Sequence, residues 1–412
     1  MVLRIKPEGS QKNMTVRGDT LSSQLSPLLF LAFIFLLNFT GRVIFAPLMP
    51  TLERDIAITH SQAGTLFFLI TLGYFISVLA SGFVSSSLTH RRTIVLSAAG
   101  LGLALLFVPL CTQLWSTAIA LFFVGLGSGL YLPSAIAILT SVINSKHWGK
   151  ALAIHELAPT LGFILAPLLS EVFLRFFSWR GVLAFLGALS IVLGLAFARF
   201  GRGGEFRGEP PGFGSLKTLL KLPSFLIMIA LFGLGLVGNY GIFTMLPLYL
   251  VTDRGLEQNW ANTLIALSRI SAIGMTFLAG LVTDRLGPRK TLIGAFLLTG
   301  SATVLLGLFP YPWIVIPIFI QPMLAVCFFP AGFAALSFIG SAKVRSVAVS
   351  LAVPLGFLFG GGAVPFGISL MGEMGFFGLG VSLAGGLVLL GTFLAWHLKL
   401  AGHQPPNPPP NS

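Results

Sequence analysis

Twelve long apolar stretches follow one another along this chain, and the segments between them are short. They cover about 27–49, 61–86, 93–111, 114–142, 149–174, 181–198, 223–250, 260–283, 290–309, 312–339, 345–371 and 374–397. Each approaches or exceeds the roughly 20 residues that a helix needs to cross a hydrocarbon core. A backbone in lipid must satisfy its own hydrogen bonds, so such stretches become helices. The sequence therefore predicts an all-α membrane protein with twelve transmembrane helices. Only 9% of the 412 residues are charged, against about 25% in soluble chains. That excludes an ordinary cytosolic enzyme, a secreted disulfide scaffold and a disordered protein.

The longest connection, Ala198 to Pro223, is rich in glycine, proline and charge and reads as a linker. It divides the chain into a cytoplasmic tail (1–26), a six-helix bundle (27–198), the linker (199–222), a second bundle (223–397) and a disordered tail (398–412). The polar first 26 residues lead into an apolar stretch containing Arg42, which fits a spanning helix better than a cleaved leader. The halves resemble repeats. Gly41 and Gly241, Pro47 and Pro247, and Arg54 and Arg254 are each 200 residues apart, and Gly82 and Gly280 are 198 apart. Lys150-Ala-Leu-Ala-Ile matches Arg345-Ser-Val-Ala-Val, with Pro159 and Pro354 at the same offset. Ordered matches of this kind suggest a duplicated unit, as in many transporters.

The net charge of +13 reflects topology. With the N-terminus inside, nineteen lysines and arginines fall on inner segments and four (Arg54, Arg175, Arg180, Arg254) on outer loops. This bias sets both termini in the cytoplasm. The basic residues form no stripe of the kind that binds nucleic acid. Cys111 and Cys327 lie in apolar runs and read as packing residues, with neither a disulfide framework nor a metal site expected.

Between the eighth and ninth stretches stands Gly280-Leu-Val-Thr-Asp284-Arg285-Leu-Gly287-Pro-Arg289-Lys290, which fits G-x-x-x-D-[RK]-x-G-x-[RK]-[RK] at every specified position. A carboxylate here can face a helix N-terminus, and glycine permits a tight turn. The sister segment is Gly82-Phe-Val-Ser-Ser86-Ser87-Leu-Thr89-His-Arg91-Arg92. It keeps the first glycine and the final basic pair, with Ser86, Ser87 and Thr89 elsewhere. By this motif the chain resembles the major facilitator superfamily. The resemblance implies two pseudo-symmetric six-helix bundles and a latch at Gly280, Asp284, Arg285, Gly287, Arg289 and Lys290 that closes the cytoplasmic gate. It also implies a multi-pass protein of a bacterial inner (plasma) membrane, acting as a monomer. Gly125, Gly127 and Gly129 resemble the family's glycine-rich fourth helix, although Leu121 replaces its usual arginine. Pro159 and Pro167 follow alanines, so the Gly-Pro pair of proton antiporters is absent.

Charges inside spans are costly and usually functional. Arg42 lies 15 residues after Pro27, and Arg269 lies 15 before Asp284, which puts both about 22 Å above the inner face. One from each half, they form a candidate clamp for a carboxylate or similar oxyanion. Snorkelling or bonding to carbonyls is the competing expectation. Glu156, with His155, reads as the only carboxylate buried in a span, about 9 Å deep, and as a proton carrier, a gate partner for Arg285 or Arg289, or a lone acid hydrogen-bonded within its bundle. The resemblance makes Asn38, Tyr131, Asn239, Tyr240 and Gln321 further candidates for the cavity lining, although helix–helix hydrogen bonding is an equal expectation.

The expected function is secondary active transport of a small anionic metabolite by alternating access, with proton coupling through Glu156. A multidrug or metabolite exporter is the alternative, and a transporter-like receptor or scaffold is the alternative of another class. The chain has no G-x-x-x-x-G-K-[ST] loop, and no residue constellation suggests catalysis or a bound cofactor.

Overall fold

A computed structural model describes residues 25–210, 221–339 and 351–400. The tail through residue 24, Lys217 of the linker, Lys343 and Arg345 of the loop before the eleventh span, and the tail from 401 lie outside the described residues. So does the match of Lys150 with Arg345.

Twelve helices are long and apolar enough to cross a membrane, and the described residues contain no strand. They are α1 (Leu25–Ile56), α2 (His60–Ser87), α3 (His90–Leu110), α4 (Leu114–Val142), α5 (Ser145–Phe176) and α6 (Trp179–Phe200). The second set comprises α7 (Pro223–Thr252), α8 (Gln258–Leu286), α9 (Pro288–Leu308), α10 (Val315–Ser337), α11 (Leu351–Glu373) and α12 (Phe377–His397). α1 runs seven residues beyond its apolar stretch, to Ile56, because its second half is buried between the two bundles. Here "loop end" denotes the side with the 2–3 and 8–9 connections, and "far end" the opposite side.

The duplication is visible in the backbone. At the α3–α6 crossing, a Cβ built on Gly187 would lie 2.8 Å from the Gly102 carbonyl oxygen. At the α9–α12 crossing, one built on Gly385 would lie 2.9 Å from the Gly300 oxygen. Both members are displaced by 198 residues. Small residues let helix backbones touch where no hydrophobic effect separates protein from lipid.

The trailing arginines repeat the relation. Arg91 Nη2 donates to the Ala198 oxygen at 2.9 Å, at the carbonyl end of α6. Arg289, 198 positions later, donates to the oxygen of Trp396, itself 198 after Ala198, at the end of α12. Each cation meets unsatisfied carbonyls at the negative end of a helix dipole.

The start of the linker docks on the first bundle. The His90 amide donates to the Phe206 oxygen, Arg91 N–H to the Gly204 oxygen and Gly208 N–H to the Ser85 oxygen. Two of these donors open α3, where a helix lacks intrahelical partners. Glu205 pairs with Arg91 at 2.9 Å, and Phe206 lies on the His90 ring.

The bundles join at the far end and at mid-depth. Gln258 of α8 accepts from Thr51 (2.8 Å) and Arg54 (3.1 Å) of α1, and donates to the Pro47 oxygen (2.9 Å). Glu373 of α11 accepts from the Ser61 amide at the start of α2. At mid-depth Thr71 of α2 donates to the Gly361 oxygen. The hydrogen bonds between bundles among the described residues lie on this side, so the far end is shut.

Candidate functional site

Arg42 and Arg269 are 3% and 4% exposed, so both guanidiniums lie within the protein. Arg42 has ring partners: its guanidinium carbon is 4.1 Å from the Tyr74 centroid, 5.3 Å from Phe39 and 5.9 Å from Phe357. Its Nε has no hydrogen-bond partner. Arg269 lies 4.4 Å from the Phe163 centroid and 5.1 Å from Phe243, and its Nη2 donates to the Asn239 oxygen at 3.0 Å. Neither joins an ion pair among the described residues.

One aromatic cluster connects them. Phe39 and Phe163 meet edge to face at 4.9 Å, and Tyr240 touches both at 6.3 Å and Phe357 at 5.3 Å. The rings come from α1, α2, α5, α7 and α11, hence from both bundles. A guanidinium over a ring face gains electrostatic attraction, and the gain grows when water is excluded. A ring carries no net charge, however, so each cation still lacks a counter-ion.

The α7 backbone supplies the one carbonyl. Residues Val237–Gly241 form a π turn, which leaves carbonyls outside the regular ladder. Asn239 presents its main-chain oxygen to Arg269, and its side-chain oxygen lies 3.5 Å from Nη1. A second π turn, Leu358–Ala363 in α11, packs on the first, and a Cβ on Gly241 would lie 2.3 Å from the Gly360 oxygen.

The other candidates are distributed differently. Tyr240 lies within the ring cluster. Asn38 donates to the Ser128 oxygen (3.1 Å) and toward Ser97, which ties α1 to α3 and α4. Gln321 donates to the Gly238 oxygen and to Thr303, tying α10 to α7 and α9. Tyr131 donates to the Leu31 oxygen at 2.6 Å and meets His155 Nε2 at 3.1 Å. Asn38, Gln321 and Tyr131 thus act as helix-to-helix ties in this state. Gly125 and Gly129 face the α2 backbone, where a Cβ would strike the oxygens of Ile70 and Tyr74.

Glu156 corrects a sequence expectation. Its side chain is 54% exposed, while His155 beside it is fully buried. Sequence fixes depth along a helix but not whether that face meets an open cleft. The contacts of His155 are directional. Tyr131 gives its hydroxyl proton to a carbonyl, which can only accept, so Nε2 donates to Tyr131. Nδ1 then faces Glu156 Oε1 at 3.3 Å.

Glu53 and Glu171 are further carboxyl groups within spans. Glu53 of α1 is 7% exposed and contacts His60 at 3.0 Å. Glu171 of α5 accepts from Asn262 of α8. Glu171 falls inside the fifth apolar stretch, so it was visible in the sequence; its partner on the other bundle was not.

Asp284, Arg285 and Lys290 are exposed at the loop end, and Gly280 has open space where a Cβ would be. Gly287 starts α9 with φ +82° and ψ 156°, a conformation almost confined to glycine. At the sister position Thr89 has extended backbone and its side chain accepts from the Arg92 amide, capping α3.

Residues 31–280 match the model of the Major Facilitator Superfamily. An uncharacterised MFS-type transporter of Bacillus subtilis (strain 168) is 22% identical over 68% of this chain and 73% of the relative. The multidrug resistance protein MdtG of Enterobacter lignolyticus is 24% identical over 65% and 66%. The 3-(3-hydroxy-phenyl)propionate transporter of Escherichia coli K12 is 24% identical over 58% and 59%. Among solved structures, a bacterial homologue of the human lysosomal transporter Spinster, in an inward-facing and occupied conformation, superposes with TM-score 0.79. It is 16% identical, over 92% of this chain and 97% of that one. With twelve spans, a complete 8–9 loop motif and a family match over more than half its length, this chain is a multi-pass membrane protein of the major facilitator superfamily.

Proposed function

We propose that this protein is a secondary active transporter that moves a small anionic metabolite by alternating access, with Arg42 and Arg269 as its anion clamp. The observation that carries this reading is the pair of buried arginines, one from each bundle, sharing a ring cluster without a carboxylate. A ligand held by both would connect the two bodies whose rocking alternates access. The relative that transports a phenylpropionate handles a carboxylate, in keeping with this reading. With the loop end cytoplasmic, as the basic residues suggest, a shut far end and an exposed 8–9 motif correspond to a carrier facing the cytoplasm. The contact of buried His155 with exposed Glu156 supports that pair as a coupling site.

A thermal-shift screen of purified protein against carboxylates, phosphate and sulfate tests the clamp. A stabilising anion is expected to lose about 10- to 100-fold in affinity in Arg42→Ala and in Arg269→Ala, the worth of one charged hydrogen bond. Stabilisation that survives both substitutions refutes it. Multidrug efflux is the second reading, favoured by the six rings and by the similarity to MdtG. Reconstituted vesicles that expel lipophilic cations and ignore organic anions would establish that reading instead. A receptor or scaffold would bind ligand without counterflow.

A further inference from the structure

We propose that Glu171 is a proton-binding residue whose protonated form bonds to Asn262 and holds the far end shut. This rests on the alternating-access reading above, but it concerns a different part of the molecule and does not depend on what is carried.

The orientation of the Asn262 amide is the starting point. Asn262 is fully buried, and its Nδ2 donates to the Pro47 oxygen at 3.3 Å and to Glu171 Oε1 at 2.5 Å. A carbonyl only accepts, so the nitrogen must face Pro47 and Oδ1 must face elsewhere. That Oδ1 is buried and has no donor. An unsatisfied buried acceptor is costly, and native structures seldom leave one unexplained.

The neighbouring carboxyl supplies the missing donor when it is neutral. An ionised carboxylate has only acceptors, whereas a protonated one carries an O–H. With a proton on its second oxygen, Glu171 donates to Oδ1 while Oε1 accepts from Nδ2. Acid and amide then form a two-bond ring across the bundle interface. The proton comes from water at the far face, and no other group is oxidised, reduced or transferred.

Among the described residues, the surroundings provide no competing cation. No ion pair among the described residues includes Glu171. On α1, Arg54 is bonded to Gln258 and the Pro50 oxygen, and Glu53 to His60. Asp55 of α1 pairs with Arg180 of α6 at 2.7 Å. On α5 itself, Arg175 lies over the Phe176 ring. At the start of α8, Glu257 is exposed, and Asp253 pairs with Arg254 just before it. Glu171 is half-buried in the shut state; opening the far end separates α5 from α8, breaks the bond to Asn262, exposes Glu171 further and releases the proton. Acid therefore favours the shut far end.

Distance measurements on the full chain in nanodiscs test this without any substrate. Ser178 and Tyr311 are exposed at the far end, one on each bundle. Spin labels at Ser178→Cys and Tyr311→Cys, with Cys111 and Cys327 replaced by serine, report the width of that end. Between about pH 5 and pH 9, where most side chains that switch near neutrality titrate, the wild-type background is expected to shift from short to long distances. A single linked proton changes the ratio by up to about tenfold per pH unit. Glu171→Gln, whose amide can donate to Oδ1 as the acid does, is expected to keep the short distance throughout. Asn262→Leu removes the partner and is expected to abolish the shift while leaving Glu171 in place. A wild-type distribution that ignores pH overturns the proposal. So does a Glu171→Gln protein that keeps the full shift, which would move the sensor to Glu53 and His60 or to Glu373. Anion counterflow, measured separately, decides the clamp: its absence refutes the anion reading and leaves the distance response to be judged by itself.

Discussion

The 2–3 and 8–9 loops are two copies of one device, and they differ in what they have kept. Both retain an arginine that grips the carbonyl end of the last helix in its bundle, Arg91 at Ala198 and Arg289 at Trp396. Only the 8–9 copy keeps the carboxylate, Asp284, and the glycine at positive φ, Gly287. The 2–3 copy has Thr89 as a helix cap and is covered by the linker through Glu205, Phe206 and the Gly204 carbonyl. The difference separates two tasks inside one motif. Capping a helix end stabilises a bundle in every state, so both copies retain it. The latch that the family resemblance implies would join the bundles in a single state, so one copy can lose it.

Five experiments test that division, the four on stability running from the largest expected effect to the smallest. Gly287→Val forces a branched residue into a backbone region that only glycine occupies freely, at a cost of about 1–3 kcal/mol. The melting temperature in detergent should fall clearly, whereas Thr89→Gly at the sister position should cost only a few tenths of a kcal/mol. Arg91→Ala and Arg289→Ala should each destabilise by about 1 kcal/mol, because each uncaps the end of a helix dipole. Markedly unequal losses would show that the arginines do not share a task. Thr89→Ala should cost about 1 kcal/mol through its lost cap. Glu205 is 79% exposed, so Glu205→Gln should change stability by no more than about 0.5 kcal/mol, and less in high salt. The latch itself is read in transport: Asp284→Asn should slow exchange, while Ser86→Asp should not restore a second latch. Equally small effects from the two would show that the loops are not lopsided.

Much of this was legible in the sequence because the bilayer forces it. Length and apolarity alone yield the twelve helices, and six motif positions indicate the family. Arg42 and Arg269 were also legible, since a charge in an apolar stretch stands out and helical rise gives its depth. Their shared ring cluster was not, because Phe39, Phe163 and Phe357 look like any other aromatic residues in apolar stretches. Asn38, Tyr131 and Gln321 show the limit of polarity as a signal: a polar side chain in a span first satisfies neighbouring helices. Glu156 and Glu171 show the limit of depth. The first is exposed and the second faces another bundle, and both depend on which helices become neighbours.

The π turn in α7 also bears on how an empty carrier would return. Arg269 rests on the Asn239 carbonyl and two rings, so without ligand it already has a neutral partner. An oxyanion binds a guanidinium more strongly than a carbonyl does and would displace it. Under the proposed clamp, the carbonyl would take the cation back once the ligand leaves, and the bundles would not move with a bare charge inside them. Arg42 rests on the Tyr74, Phe39 and Phe357 side chains, and its Nε stays unpaired. Under the proposed clamp, the greater load on the return of an unoccupied carrier then lies with Arg42, whose Nε is unpaired. Converting the carrier between strict exchange and one-way flow would then be a matter of giving that Nε, and not Arg269, an acceptor to rest on.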